Sequence, residues 1–165
     1  MIKNRFLWIL IPVLVLLDQW SKFWAIRVLK PGKVIPIIKN VLELTYVENR
    51  GAAFGILQNR QIFFLLITLA VLAGILLVMR RMPDNRRYLP LSLCLVFVAS
   101  GAVGNMIDRM VRHYVVDFIY FKPIDFPVFN VADIYVTVSA GLLILLFFFY
   151  YKEEELEQVI PGKKR

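Results

Sequence analysis

The chain has 165 residues, of which 59% are hydrophobic, and its 20 lysines and arginines outnumber its 12 aspartates and glutamates to give a net charge of +8. This hydrophobic fraction exceeds that of ordinary soluble domains and indicates that a lipid bilayer is the solvent of most of the chain. The cations are spread over loops and the ends of apolar segments, a pattern that excludes a nucleic-acid-binding protein and favours contact with anionic lipid headgroups.

The first apolar segment covers residues 6–28 and is predicted to span the membrane as a helix with a polar turn at Asp18-Gln19. Basic residues ahead of an apolar run also mark cleavable signal peptides. Pro12, the polar pair and the lack of a small-residue cleavage site argue against that alternative, and the apolar pattern resumes beyond the pair. We therefore expect a membrane span.

The loop that follows, residues 30–60, contains two short runs rich in β-branched and apolar residues, at 34–38 and 41–47. Lys39-Asn40 separates them, and Asn49-Arg50-Gly51 closes the second. Such runs between turn residues are typical of a β-hairpin or small curved sheet. The sequence predicts a cradle that could hold an extended segment.

Three further segments, residues 61–79, 88–107 and 134–151, are also apolar and long enough to cross a bilayer. Small residues at 99–104 would let a neighbouring helix approach the third span closely. The four spans leave no room for a separate soluble domain. The sequence therefore predicts a single integral membrane domain, residues 1–165, in the class of all-α membrane proteins with four transmembrane helices and a small sheet.

The loop between the second and third spans contains four arginines within residues 80–87, a density that places it in the cytoplasm by the positive-inside rule. The cytoplasmic side then has ten cations and the outer side eight, so density rather than the total decides the orientation. Both termini are expected in the cytoplasm. The loops at residues 30–60 and 108–133 are expected outside.

Neither the single cysteine nor the single histidine indicates a site. Cys94 lies inside the third apolar segment, where a small buried side chain is the usual role and no intrachain disulfide can form. His113 lies in a loop beside Arg112 with no other histidine to share a ligand set. We expect no metal and no cofactor.

An unusual set of polar residues maps to the outer half of the membrane in this topology: Asp18, Lys22, Asn49, Asn105, Asp108, Arg109, Asp117, Asn130 and Asp133. Asp18 and Lys22 are four residues apart and share a helix face, where they form either a salt bridge that stabilises the helix or part of a reaction site. Asp108 and Arg109 lie at the end of the third span. They also have a structural interpretation, in which they cap the helix and extend their charged groups to the lipid headgroups.

Asp117 and Asp133 each lie at the mouth of an apolar segment. Asn130 is predicted to be the N-cap of the fourth helix with Asp133 at its third position, so Asp133 also has a purely structural interpretation. Two carboxyl groups in a shielded site can share one proton, one acting as general base on a water while the other protonates a carbonyl oxygen. The pattern favours an aspartic hydrolase.

Five segments resemble, in order, the motifs of the bacterial lipoprotein signal peptidase family, also called signal peptidase II. They are DQWSK at 18–22, NRGAAF at 49–54, GNMIDR at 104–109, VVDF at 115–118 and FNVAD at 129–133. The resemblance covers nearly the whole chain and also matches its size and number of spans.

The resemblance implies an aspartic endopeptidase of the bacterial inner membrane, active near the outer surface as a monomer. It would cleave prolipoproteins immediately before a diacylglyceryl-modified cysteine, contact membrane lipids and bind globomycin-type inhibitors. Asp117 and Asp133 match the catalytic pair. The supporting or substrate-binding positions are Asp18, Lys22, Asn49, Gly51, Ala52, Gly104, Asn105, Asp108, Arg109, Asn130 and Ala132.

Two other classes of protein are compatible with charged residues inside a membrane. A small proton-coupled transporter would also carry such residues along its ion pathway. The second and fourth spans, however, offer no polar path to the cytoplasm. A structural assembly subunit would leave the two aspartates unexplained.

The topology can be tested with a reporter domain fused after Tyr151. We expect the reporter to be cytoplasmic because an even number of spans places both termini on the side of the arginine-rich loop. A fusion within residues 30–60 is the matched control and should lie outside. A periplasmic signal after Tyr151 would overturn the orientation.

Overall fold

The structure is a computed structural model that describes residues 4–30, 32–51 and 60–159. Four of its helical segments are long and apolar enough to cross a membrane, which makes the protein a multi-pass membrane protein. The helices are α1 (Leu10–Leu29), preceded by a 3₁₀ segment at Asn4–Ile9, α2 (Gln61–Arg81), α3 (Leu89–Arg112) and α4 (Val131–Leu145), which continues as a π-helical turn at Leu146–Tyr150.

Helix α3 differs from its predicted bounds, whereas α1 crosses Asp18-Gln19 as one continuous helix, as predicted. Lys22, one turn later, pairs with Asp18 at 2.9 Å and keeps the carboxylate inside the protein. Helix α3 continues to Arg112 rather than ending at residue 107. Asp108 and Arg109 therefore lie within a helix and not in a loop beyond it.

Helix α3 is the central helix of the bundle, since it contacts α1, α2 and α4. In the apolar stretch of α3, 50% of the residues are buried inside the protein, whereas only 11% are buried in the apolar stretch of α4. The small residues predicted to allow close approach do so at Gly101, where an added Cβ would lie 2.5 Å from the carbonyl oxygen of Ala132 and 2.7 Å from Val136 Cγ2. This contact sets how closely the start of α4 approaches α3.

A three-stranded antiparallel sheet joins the two loops predicted to be outside. Strands β1 (Ile35–Ile38) and β2 (Leu42–Asn49) form the predicted hairpin, and β3 (Val115–Phe121), from the second loop, pairs with β2. The sheet is therefore not confined to the first loop. Its register pairs Val47 with Asp117 and Asn49 with Val115.

A short helix not predicted from the sequence, α5 (Glu153–Val159), packs where α2 ends and α3 begins. Arg87 anchors it by an ion pair to Glu155 at 2.8 Å. Tyr88 and Tyr151 stack beneath it with ring centroids 5.6 Å apart. This end of the bundle is thus closed by packing, whereas the other end carries the sheet.

The close approach of α3 and α4 can be tested with Gly101→Ala. Because a backbone oxygen and a packed valine occupy the space, we expect a loss of about 1–3 kcal/mol in the free energy of unfolding. Gly141→Ala is the matched control, since nothing lies within 4 Å of a Cβ there and alanine favours a helix. Thermal unfolding in one detergent measures both, and equal stabilities would contradict the packing.

Candidate active site

The two candidate catalytic aspartates line one cavity of about 490 Å³. Asp117 reaches it from β3, Asp133 from the first turn of α4, and Asn105 and Arg109 from α3. Most of its other lining residues are apolar: Phe64, Val115, Phe126, Pro127, Val128, Phe129, Ile134 and Val138. Both carboxyl groups therefore face a cavity that is lined partly by charged and partly by apolar side chains.

Asp117 is 2% exposed and accepts two hydrogen bonds from side-chain amides. Asn49 donates to Oδ2 at 2.8 Å and Asn130 donates to Oδ1 at 2.6 Å. Burial, and next the negative charge of Asp133, raise the pKa of Asp117 to about 7. Near neutral pH this carboxyl group can therefore hold a proton.

Asp133 is held by the helix cap that the sequence predicts at Asn130. The Asn130 side chain accepts the backbone N–H of Asp133 at 3.1 Å, and Asp133 Oδ2 accepts the backbone N–H of Asn130 at 3.0 Å. Its other oxygen, Oδ1, accepts a hydrogen bond from Asn105 Nδ2 at 2.8 Å. The cap orients this carboxylate toward the cavity, so the structural and the functional interpretations of Asp133 are compatible.

Arg109 lines the cavity that holds the two carboxyl groups, rather than serving only as a helix cap. Its guanidinium lies 4.5 Å from the centre of the Phe64 ring and donates to the Gly51 carbonyl at 3.3 Å. Among nearby charged groups, Asp133 and then Asp117 interact most strongly with this guanidinium group. A fixed positive charge is thus present beside the site.

Behind the cavity lies a buried ionic cluster formed by Asp18, Lys22 and Asp108, all 0% exposed. Lys22 Nζ lies 2.9 Å from Asp18 Oδ2 and 3.2 Å from Asp108 Oδ2. Gly104 allows this packing, because an added Cβ would lie 3.0 Å from the Asp18 carboxyl carbon. With Arg112, which also pairs with Asp108, two positive charges face the two carboxylates, as charges removed from water require.

Each carboxylate of the ionic cluster also binds the backbone immediately before a candidate catalytic residue. Asp18 Oδ1 accepts the N–H of Ala132, the residue before Asp133, at 3.0 Å. Asp108 Oδ2 accepts the N–H of Val116, the residue before Asp117, also at 3.0 Å. The first-motif pair thus forms a salt bridge and also contacts the segment that carries Asp133, so the two interpretations left open by the sequence are compatible.

All predicted site positions that the structure describes lie at the cavity or at this cluster behind it; Ala52 falls outside the described residues. Sequence reasoning missed several residues at the site, including most of the apolar lining of the cavity. Arg112 pairs with Asp108 at 2.6 Å, and their i,i+4 spacing was a usable signal. Gln19 donates to Asp108 at 3.1 Å. Phe64 shows that α2, from which no contribution was expected, also lines the site.

The fold and site define a four-span membrane enzyme. The structure superposes on a bacterial membrane enzyme solved by the in meso method at 2.3 Å resolution with a TM-score of 0.77 and 29% identity, covering 96% of this chain and 94% of that one. A second bacterial membrane enzyme, solved at 1.9 Å, matches with a TM-score of 0.75 and 32% identity over 87% of this chain and 94% of that one.

Sequence relatives narrow this class to one family. The lipoprotein signal peptidase of Caldanaerobacter subterraneus subsp. tengcongensis is 47% identical over 82% of this chain and 90% of that protein. The lipoprotein signal peptidase of Brevibacillus brevis is 44% identical over 83% of this chain and 91% of that protein. The model of the family described as signal peptidase (SPase) II matches residues 10–149. The chain belongs to the signal peptidase II family and is a membrane protease.

The raised pKa of Asp117 can be tested through stability. Between the unfolded value of about 3.9 and the folded value of about 7, this carboxyl group binds more protons in the folded state, so its contribution to wild-type stability falls as pH rises across this interval. Asp117→Asn removes this pH-dependent loss of stability, which amounts to about 1.4 kcal/mol for each unit by which folding raises the pKa. We expect the variant to gain stability relative to wild type between about pH 4 and pH 8 in thermal unfolding. A constant difference would contradict the assignment.

Proposed function

We propose that this protein is an aspartic endopeptidase that removes the signal peptide of diacylglyceryl-modified prolipoproteins, cleaving immediately before the lipidated cysteine. Asp117 and Asp133 are the catalytic pair. The observation that carries the assignment is their position on one shielded cavity, each held by amide donors and each electrostatically coupled to the other. Family membership supplies the reaction class.

In the proposed mechanism Asp117 holds the shared proton and Asp133 is ionised. Asp133 removes a proton from a water as that water attacks the scissile carbonyl carbon, and Asp117 gives its proton to the carbonyl oxygen, so that a neutral diol forms. When the diol collapses, the C–N bond breaks and Asp133 gives its proton to the leaving nitrogen. Asp117 regains a proton from one diol hydroxyl group as that oxygen becomes the carbonyl oxygen of the new carboxyl terminus. No covalent enzyme intermediate is required.

The shape of the cavity supports a lipidated peptide as substrate. The polar part of its lining consists of Asp117, Asp133, Asn49, Asn105 and Arg109. Phe64, Phe126 and Val138 belong to the apolar part. Val138 is 55% exposed on the bundle surface, so the apolar side continues toward the lipid. Acyl chains placed along this side would add binding through their buried methylene groups.

We further propose that the protein acts as a monomer and a single domain in the bacterial inner membrane, with both termini in the cytoplasm and the cavity near the outer surface. The arginine-rich segment at residues 80–87 supports this orientation. The sheet would then lie outside, where the substrate peptide leaves the membrane. Membrane lipids would surround the apolar side, and globomycin-type inhibitors would compete for the cavity.

The proton-coupled transporter considered from the sequence loses its support. Intramembrane charges alone suggested it, but the family is one of proteases. The buried charges of α1 and α3 are also engaged with one another and with the backbone ahead of the two aspartates. They act here as a scaffold for the site and do not require an ion pathway.

Separate Asp117→Asn and Asp133→Asn variants test the catalytic pair. Each is expected to abolish processing of a lipid-modified prolipoprotein in a gel-shift assay, because an amide can neither take up nor release the proton. Asp125→Asn, which changes a carboxylate bonded to Tyr120 at the surface, is the matched control and should process normally. Full processing by either dyad variant, once shown to be inserted and folded, would remove the assignment.

A further inference from the structure

Two of the asparagines at the catalytic pair are oriented by the backbone. Asn130 Oδ1 accepts the N–H of Asp133, which leaves Nδ2 to donate to Asp117. Asn49 Oδ1 accepts the N–H of Gly51 at 3.0 Å, which likewise leaves Nδ2 for Asp117. An amide has one accepting and one donating end, so a donor at the oxygen determines where the nitrogen points.

The third asparagine, Asn105, is oriented differently, by a side-chain charge from another helix. Its Oδ1 accepts a hydrogen bond from Lys22 Nζ at 2.8 Å, and its Nδ2 donates to Asp133 Oδ1 at 2.8 Å. Asn130 Nδ2 lies farther from the same oxygen, at 3.3 Å, and is already engaged with Asp117. Lys22 is therefore the principal donor that orients Asn105.

We propose that Lys22 is a positioning residue that acts through Asn105: it keeps the Asn105 amide donating to Asp133 and so holds that carboxylate as a hydrogen-bond acceptor oriented in the cavity. An ammonium group can only donate, so it requires the Asn105 oxygen to face it and the Asn105 nitrogen to face Asp133. With the amide turned over, an oxygen would face Asp133, and only a protonated carboxyl group could bond to it. The inference rests on the proposed function.

Charge neutralisation alone does not explain the arrangement of Lys22. Its ammonium group uses three contacts, two to the carboxylates of Asp18 and Asp108 and one to the Asn105 amide. The first two suffice for a structural role, whereas the third connects the charge to Asp133. The charged groups around Asp133 are Asp117 on β3, Arg109 and Asp108 on α3, and Lys22 and Asp18 on α1.

The test compares Lys22→Met with the charge-balanced double variant Asp18→Asn/Lys22→Met, which removes one charge of each sign from the ionic cluster. The control is Leu91→Ala, a cavity-forming change in the core beside Tyr88 and Tyr151, away from the site. For each folded protein, kcat, KM and Tm are measured against pH with a lipid-modified prolipoprotein.

We expect both Lys22 variants to lower kcat by about tenfold or more while KM changes little, the signature of a lost transition-state interaction. The acidic limb of the kcat profile should move to higher pH by about one unit, which is a tenfold change in proton affinity. Leu91→Ala should lower Tm and leave the profile in place, since lost packing changes the amount of folded protein and not its proton affinity.

If either folded Lys22 variant keeps both kcat and the acidic limb of wild type, the proposal fails. If neither variant folds, Lys22 is assigned to folding alone and the proposal also fails. These outcomes are distinct from failure of the proposed function, which the Asp117→Asn and Asp133→Asn variants report. A protein that needs both aspartates but is indifferent to Lys22 would keep the function and lose the inference.

Discussion

The site depends on the interaction of one buried ammonium group, Lys22, with Asp18 and Asp108, all three fully removed from solvent. The two carboxylates bind the backbone one residue before Asp133 and one residue before Asp117. One ionic cluster thus fixes the start of α4 and the start of β3 against α1 and α3. Packing of Ala25 and Leu29 of α1 against Val116 of β3 and Val131 of α4 supports the same arrangement.

Such a cluster is weak evidence for stability in itself, because removing charges from water costs several kcal/mol per ion and the attraction between them repays that only when geometry is good. Removing one partner of a buried pair costs about 3–5 kcal/mol. The cluster around Lys22 is therefore better understood through what it positions. It holds Asp117 in a place where burial raises its pKa to about 7. It also holds Asp133 where the Asn130 N–H and the Asn105 amide donate to its carboxylate.

Much of the architecture could be predicted from the chain because a bilayer imposes simple constraints. Apolar length indicated four spans, β-branched runs indicated the hairpin, and Asn130-x-x-Asp133 indicated a helix cap that the structure confirms. The polar pair Asp18-Gln19 lies within a continuous helix, and Asp18 meets Lys22 on one face of it, as their i,i+4 spacing predicted. The addition of β3 to the sheet and the docking of α5 were missed because pairing between distant segments leaves no periodic signal.

The sequence by itself determined that this is a four-span membrane protein, that its unusual polar residues lie in five motifs, and that Asp117 and Asp133 are the candidate pair, since apolar length and residue type are local properties. Only the tertiary structure decided that Phe64 of α2 lines the cavity, that Asn49 meets Asp117 across the sheet, and that Lys22 orients Asn105. Those contacts join segments far apart in the chain. Their geometry follows from how helices and strands pack, which neither composition nor spacing records.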